Sequence, residues 1–311
     1  MKRGVVVGTV VGTIALLIAI FWWLLSGVTL DVLHPTGQVA AAQRDLFWLT
    51  IGLSSIVVVP VFIMLVVFAW KYSDKTKKKS IYRPEWRSNH WLEIIWWGIP
   101  ILIISVLAVV TWQTSHSLDP YKSIASNQKP VEVQVLALQW KWLFFYPEQK
   151  IAVINELPVV KDRPVHFTIS ADSPMSAFWI PTLGSQIYSM NGMRSQLNLI
   201  ANKTGDYYGY NTNINGEGYA SMRFTVKVRD EGEFNRIMAE AQKSPIVLDE
   251  VLYKYLSQPS IEKNTVYYRL ADQDLYNQIV MKYMRGNLPK NHNSNTIQDD
   301  KNNSMHDMRG M

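Results

Sequence analysis

Three apolar runs, at residues 5–25, 46–70 and 91–112, constrain this chain more than any other feature, because Glu93 is the only charged residue in them. A bilayer hydrocarbon core of about 30 Å takes roughly 20 helical residues to cross, and each run is long enough. Pro60 and Pro100 interrupt the second and third runs, which membrane helices tolerate better than soluble ones. Charge sets the orientation. The loop between the second and third runs carries Lys71, Lys75, Lys77, Lys78, Lys79, Arg83 and Arg87 against Asp74 and Glu85. Cytoplasmic loops collect Lys and Arg, so this loop is expected inside, and Lys2 and Arg3 put the N-terminus there too. Everything after Trp112 then lies outside, in the periplasm of a Gram-negative host. Trp22, Trp23, Trp48, Trp70, Trp96, Trp97 and Trp112 sit in or beside the runs, where amphipathic rings settle at a membrane interface. The lysines at 77–79 are a topology determinant first and an anionic-lipid contact second.

The first run reads as an uncleaved signal-anchor or as a signal peptide. About 21 apolar residues exceed the 7–15 of a signal peptide's apolar region, and the small-residue pattern Ala40-Ala41-Ala42 lies well beyond its end. Length favours the anchor.

After a polar linker at 115–129 the period changes to two: Val131, Val133, Val135 and Ala137 alternate with Glu132 and Gln134, as in a half-buried strand. Further strands are expected at 140–146, 165–170, 196–200 and 220–228, the last with Met222, Phe224, Val226 and Val228 on one face. Turn signals such as Asn191-Gly192, Thr204-Gly205 and Asn215-Gly216 separate them, and many short strands argue for a sandwich or barrel. From Asp230 the period turns helical, with Phe234, Ile237, Met238 and Ala241 on one face and Leu248, Val251, Leu252 and Tyr255 on another. A third helix is expected from a cap at Asp272 to just before Gly286, and a disordered tail after it. The fold class is therefore mixed: transmembrane helices, an all-β sandwich and a short helical appendage. The expected domains are 1–28 (anchor or signal), 29–45 (outer linker), 46–114 (helical hairpin with a basic loop at 71–90), 115–129 (linker), 130–229 (sandwich), 230–286 (helical appendage) and 287–311 (tail).

Composition excludes several functions. There is no cysteine, so disulfides, thiolate chemistry, cysteine zinc sites and iron–sulfur clusters are ruled out. The net charge of +6 sits beside the membrane rather than on a nucleic-acid motif, so no nucleic acid is expected as a partner. His34, His90, His116, His166, His292 and His306 are scattered singly, without the spacing of a metal site. His306 has Met305, Met308 and Met311 nearby, in a stretch that reads simply as a tail.

A helical hairpin followed by an exported sandwich resembles subunit II of the haem–copper oxidases. Ordered motifs sharpen the likeness: Asp119-Pro120, Gln139-Trp140-Lys141-Trp142, Tyr146-Pro147-Glu148-Gln149, the stretch from Phe178-Trp179-Ile180-Pro181 to Gln186-Ile187-Tyr188, and Leu199-Ile200-Ala201-Asn202. Together they are similar to the quinol-oxidizing, bo-type branch, over roughly residues 24–285. The resemblance implies a cupredoxin-type sandwich. In cytochrome c-oxidizing relatives that sandwich holds two copper ions, with a His upstream of a Pro-x-Leu-Gly turn. The other ligands follow a Cys-x-x-x-Cys-x-x-x-His-x-x-Met pattern after Tyr-Gly, with a Glu between the cysteines. Here the upstream His position is Ser176, the cysteine positions are Asn211 and Asn215, the Glu position is Asn213 and the second His position is Tyr219; only Met222 survives. A dicopper centre needs two bridging thiolates, and this chain has none. Met222 is expected to pack in the core, and Trp140 and Trp142 in the core or an interface. Some members of the branch carry a lipid-accepting cysteine after Ser-Gly; here Ser26-Gly27 is followed by Val28, so no lipidation is expected.

The resemblance implies an accessory subunit of a proton-pumping quinol:oxygen oxidoreductase that itself binds no cofactor. The haems, copper and quinol belong to partner subunit I; smaller membrane subunits III and IV and membrane lipids are further partners, and cytochrome c is not one. It also places Glu93 at the cytoplasmic mouth of a proton-uptake path; the plainer reading pairs Glu93 with a loop base such as Arg87. Two alternatives carry less. An anchored electron-transfer or copper-delivery cupredoxin needs a Cys–His–Met ligand set, and a membrane-tethered binding module leaves the ordered motifs unexplained.

Overall fold

The computed structural model describes residues 30–71, 89–262 and 264–285, together with 12, 13, 16, 19, 20 and 22–24. Most of the first apolar run, Val28, the basic loop with lysines 77–79 and Arg87, and the tail with His292 and His306 lie outside the described residues.

Two long helices precede the sandwich: α1 Gln38–Lys71 and α2 His90–Ser117. Both are long and apolar enough to cross a membrane, and most of their large apolar side chains are exposed. The hydroxyls of Thr50, Ser55, Ser105 and Thr114 donate to the carbonyls four residues back, so each is satisfied within its own helix. Helix α1 begins at Gln38 rather than Leu46. Residues 38–45, which read as linker, continue the helix by about 12 Å beyond the apolar run. They do so because their end is docked on the sandwich. The N–H groups of Thr36 and Gly37 donate to the Thr182 carbonyl (2.8 and 3.1 Å), Ala40 N–H donates to Leu183 O (3.1 Å), and Asn202 N–H donates to Thr36 O (2.8 Å). A Cβ on Gly37 would lie 2.6 Å from the Ile200 carbonyl oxygen, so only glycine permits this approach. After α2, the Pro120 carbonyl accepts from both the backbone and side-chain amides of Asn198, each at 3.1 Å.

The strands are β1 Val131–Leu138, β2 Lys141–Tyr146, β3 Ile151–Ile154, β4 Glu156–Val160, β5 Pro164–Ala171, β6 Ser176–Trp179, β7 Ile187–Ser189, β8 Ser195–Ile200, β9 Gly205–Asn211, β10 Arg223–Arg229, β11 Val247–Leu248 and β12 Val266–Leu270. They form a seven-stranded sheet in the order β11-β12-β3-β2-β1-β5-β8 and a five-stranded sheet in the order β4-β10-β9-β6-β7. The alternating face of β1 (Val131, Val133, Val135, Ala137) meets Phe224, Val226 and Val228 of β10 in the main core. Strand β10 starts at Arg223 rather than Ala220, because residues 219–221 tighten into a 3₁₀ turn.

The appendage comprises α3 Glu231–Ala241, β11, α4 Glu250–Leu256, β12 and α5 Leu275–Arg285. The sequence suggests helices alone, yet β12 pairs antiparallel with β3 and β11 extends the sheet beyond it. Without β12, β3 would present unpaired backbone groups at a sheet edge. Residues of the appendage then cover the back of the large sheet: Leu136, Leu138, Leu143 and Phe145 are buried with Tyr253, Leu256, Tyr276 and Ile279. The expected apolar face of α4 is wrong in phase. Leu248 belongs to β11, Asp249 caps the helix by accepting from Leu252 N–H, and Tyr253 and Leu256 are buried. Val251 and Tyr255 are instead 77% and 74% exposed. Helix α5 starts three residues after Asp272, whose carboxylate accepts from Asp274 N–H (2.8 Å) and from the Gln278 amide (2.7 Å).

Buried polar groups tie the appendage down. The buried Lys141 Nζ donates to Gln258 O (3.0 Å) and to the Ser260 hydroxyl; burial pulls its pKa below the usual lysine value, with Glu262 opposing. Asp172, after β5, accepts from Lys282 Nζ (2.8 Å) and from the hydroxyls of Tyr253 and Tyr283. Burial pushes the Asp172 carboxyl up, but the hydrogen bonds from Lys282, Tyr253 and Tyr283 outweigh it and hold its pKa below the usual value. A depressed carboxyl contributes stability that is complete above its unfolded value, about 4, and is lost as pH falls through the lower folded value. Helix α5 should therefore release below about pH 4, and Asp172→Asn should release it at neutral pH at a cost of about 2–3 kcal/mol. Hydrogen exchange across 275–285 in the full chain checks both; protection indifferent to pH and to Asp172→Asn would contradict this account.

Candidate functional site

The positions that the family resemblance assigns to copper ligands converge at one end of the sandwich. Strand β6 opens with Ser176, β9 ends with Asn211, and the two strands pair antiparallel, Phe178 opposite Asn211. The loop after β9 returns through Asn215 and the 3₁₀ turn Tyr219–Ser221 to Met222, whose carbonyl accepts from Asn211 N–H (3.1 Å) and closes the loop at its base.

Side-chain amides fill the interior of this loop. Asn211 Oδ1 accepts from the N–H groups of Ala177 (2.8 Å) and Asn213 (3.1 Å), while its Nδ2 donates to Asn213 O (2.9 Å). Asn215 Nδ2 donates to Ser176 Oγ (2.9 Å) and to Met222 Sδ (3.6 Å), and Ser176 Oγ donates to Pro174 O (3.2 Å). Asn213 reaches outward, its Nδ2 donating to Met175 O (2.7 Å). Ser176, Asn211, Asn215 and Met222 are buried. Tyr219 joins through its backbone: its N–H donates to Gly216 O and its carbonyl accepts from Met222 N–H.

Trp140 covers the loop from outside. It sits in the β1–β2 turn at φ 67°, and its Nε1 donates to Asn215 O at 3.4 Å. A Cβ on Gly218 would lie 2.2 Å from the Trp140 ring, so the ring rests directly on the glycine backbone. Beneath the loop, Phe178 and Phe224 stack with centroids 5.1 Å apart, and Trp142 meets Phe178 edge-on at 5.3 Å. The sequence signals Trp140 only as a packing residue; its role as a lid depends on the positive φ, which no local pattern announces.

This donor set does not fit a dicopper centre. Two carboxamides, Asn211 and Asn215, stand where bridging thiolates are needed, and the hydroxyls of Ser176 and Tyr219 stand where imidazoles are needed, leaving the Met222 thioether alone. The one soft atom, Met222 Sδ, already accepts a hydrogen bond from an amide. Among the described residues no three His, Cys, Asp or Glu side chains gather as a metal site would require.

Glu93 lies elsewhere, in the first turn of α2, about 36 Å along the helix from its sandwich end. Asn89 caps that turn by accepting from the N–H groups of Trp91 and Leu92. Glu93 is half exposed, with His90 Nδ1 3.6 Å from its carboxylate.

Known proteins resemble this chain over most of its length. Residues 148–229 match the family profile described as cytochrome c oxidase subunit II, periplasmic domain, and residues 242–287 match the COX aromatic rich motif. Cytochrome bo(3) ubiquinol oxidase subunit 2 of Pseudomonas putida is 42% identical over 260 residues, covering 84% of this chain and 82% of that protein. Ubiquinol oxidase subunit 2 of Acetobacter aceti is 42% identical over 265 residues, covering 85% and 86%. Among solved structures, the periplasmic domain of subunit II of a Bradyrhizobium japonicum cytochrome oxidase is 21% identical with a TM-score of 0.36, covering 38% of this chain and 98% of that one. The chain belongs to the ubiquinol oxidase subunit 2 family, within the haem–copper oxidases.

The hydrogen bonds rank the residues of the site. Asn211→Ala strands the Ala177 N–H in a buried position and should cost about 2–3 kcal/mol, whereas Asn213→Ala, at the rim, should cost under about 1 kcal/mol. Urea unfolding of the full chain in detergent, followed by tryptophan fluorescence, checks the difference; equal losses would contradict the assignment.

Proposed function

We propose that this chain is the non-catalytic subunit II of a proton-pumping quinol:oxygen oxidoreductase in a bacterial inner membrane. The hairpin of α1 and α2 braces subunit I, the sandwich caps its periplasmic face, and smaller subunits III and IV complete the complex. The observation that carries this reading is the amide-filled loop: Asn211 and Asn215 use their carboxamides to hold the loop where electron-accepting relatives use copper. A chain built this way has no relay for electrons from cytochrome c. A quinol dissolved in the membrane needs none, because it reaches subunit I directly, and the names of the curated relatives, ubiquinol oxidases, support that donor. The haems, the copper and the quinol site then belong to subunit I.

Glu93 is the second element of the proposal. A carboxylate inside an apolar span is costly at mid-bilayer, about 2.5–3.5 kcal/mol, and cheaper near an interface, so it persists where it faces protein or water. With the basic loop taken as cytoplasmic, Glu93 at the start of α2 lies on that side, collects protons and passes them to a path in subunit I. The purified complex should carry haem-bearing partners, and Glu93→Gln should lower steady-state oxygen consumption severalfold with haem content unchanged. Isolation of the chain without haem-bearing partners would overturn the subunit assignment. Turnover equal to wild type across pH in a normally assembled Glu93→Gln complex would reduce Glu93 to a structural residue.

A further inference from the structure

Three contacts fix the phase of helix α4, and the fixed phase turns two large apolar side chains outward. Asp249 caps the helix by accepting from Leu252 N–H (2.8 Å), the buried Tyr253 donates its hydroxyl to Asp172, and Leu256 is buried against the back of the large sheet. Val251 and Tyr255, one turn apart, are left 77% and 74% exposed. Just upstream, Ile246 and Val247 are exposed as well, where β11 forms the edge of the seven-stranded sheet. A free surface usually scatters its apolar residues singly, and a concentration of them marks a contact.

Charge runs beside the apolar pair. Glu250 and Lys254 are exposed on the same helix, and neither enters a salt bridge among the described residues. At about 100° per residue, Glu250 and Lys254 lie about 40° apart around the helix axis, and Val251 and Tyr255 lie about 40° apart beside them. The outward face therefore carries two strips, an apolar one and a charged one that reads acid then base along the helix. A face ordered this way matches itself. When two α4 helices lie antiparallel about a two-fold axis perpendicular to their shared plane, like strips meet. Glu250 of each copy then stands opposite Lys254 of the other, and Val251 of each opposite Tyr255. Both spacings are four residues, about 6 Å, so one alignment serves charges and apolar groups to within about one residue's rise.

We propose that the outer face of α4 is a self-association surface, occupied by α4 of a second copy of this chain in the same membrane. A closed two-fold contact needs a patch complementary to itself, and the acid-then-base order of Glu250 and Lys254 supplies it. The contact is small, because a seven-residue helix offers less than the roughly 800 Å² per partner of a stable soluble interface. Spanning helices confine both copies to one plane and raise their effective concentration, so the pair forms in the membrane and loosens in dilute detergent. The surface rests on the spanning assignment of α1 and α2 and is independent of the proton-uptake reading.

The chain has no cysteine, so a single introduced one reports the contact. Val251→Cys in the full chain, treated in native membranes with a short bismaleimide, should give a product of twice the chain's mass. Ile214→Cys, 80% exposed in the loop after β9, should not. In the Val251→Cys background, Glu250→Lys alone or Lys254→Glu alone sets like charges against each other and should lower the cross-linked fraction severalfold. Coexpressing the two variant chains sets bases against acids and should restore it, which only pairing between copies of this chain can do. Cross-linking to a different protein, a fraction indifferent to the charge variants, or coexpression that restores nothing would overturn the proposal. Cross-linking found in detergent and absent from membranes would overturn it too.

Discussion

The loop between β9 and β10 must be held by side chains of this chain, and Asn211 does most of the holding. Three hydrogen bonds from one carboxamide join β6 to the loop and bend residues 211–213 back on themselves. Buried backbone groups need partners, and an unmet one costs about 1–3 kcal/mol. In a metal-bearing sandwich the ligand bonds would fix the same segment. Here Asn215, Ser176 and Met222 complete the closure, and Trp140 seals it from outside. The fit is not perfect: Asn215 Oδ1 is buried without a hydrogen-bond partner.

A second constraint passes from this sandwich to the membrane. The carbonyls of Thr182 and Leu183 anchor the start of α1, and Asn198 of β8 anchors the turn after α2. The hairpin and the sandwich are therefore fastened at two points instead of being joined by free linkers. Rigid attachment suits a subunit proposed to cap a partner on one side of the membrane while offering Glu93 on the other. The proposed proton entry at Glu93 and the closed loop then sit at opposite ends of the chain, with no redox group proposed between them.

Much of this was legible in the residues. Apolar runs with Glu93 as their one charge, and the basic loop, gave the two spanning helices, and alternation in 131–137 gave the central strand. The ligand positions could be placed because Tyr208-Gly209 fixes their register. Other features depend on distant partners and leave little local trace. Strand β12 exists because β3 needs a neighbour, and β2 is buried on both faces because the appendage folds behind it. The consecutive Leu143, Phe144 and Phe145 hint at that double burial, but a short apolar run does not say what covers it. The phase of α4 went astray because Leu248 reads equally well as a helical or a strand residue. Asn211 and Asn215 read as absent ligands; that they bond the loop together becomes apparent only when β6 is beside them.

The central claim is that amide hydrogen bonds replace metal at the end of the sandwich. Its most direct test is copper analysis, with electron paramagnetic resonance, of the full chain purified after exposure to excess copper and exhaustive dialysis. The account predicts a copper content close to zero, no mixed-valence signal, and an unfolding transition unmoved by the metal. Nearly two tightly held copper ions per chain, with a stabilised sandwich, would contradict it.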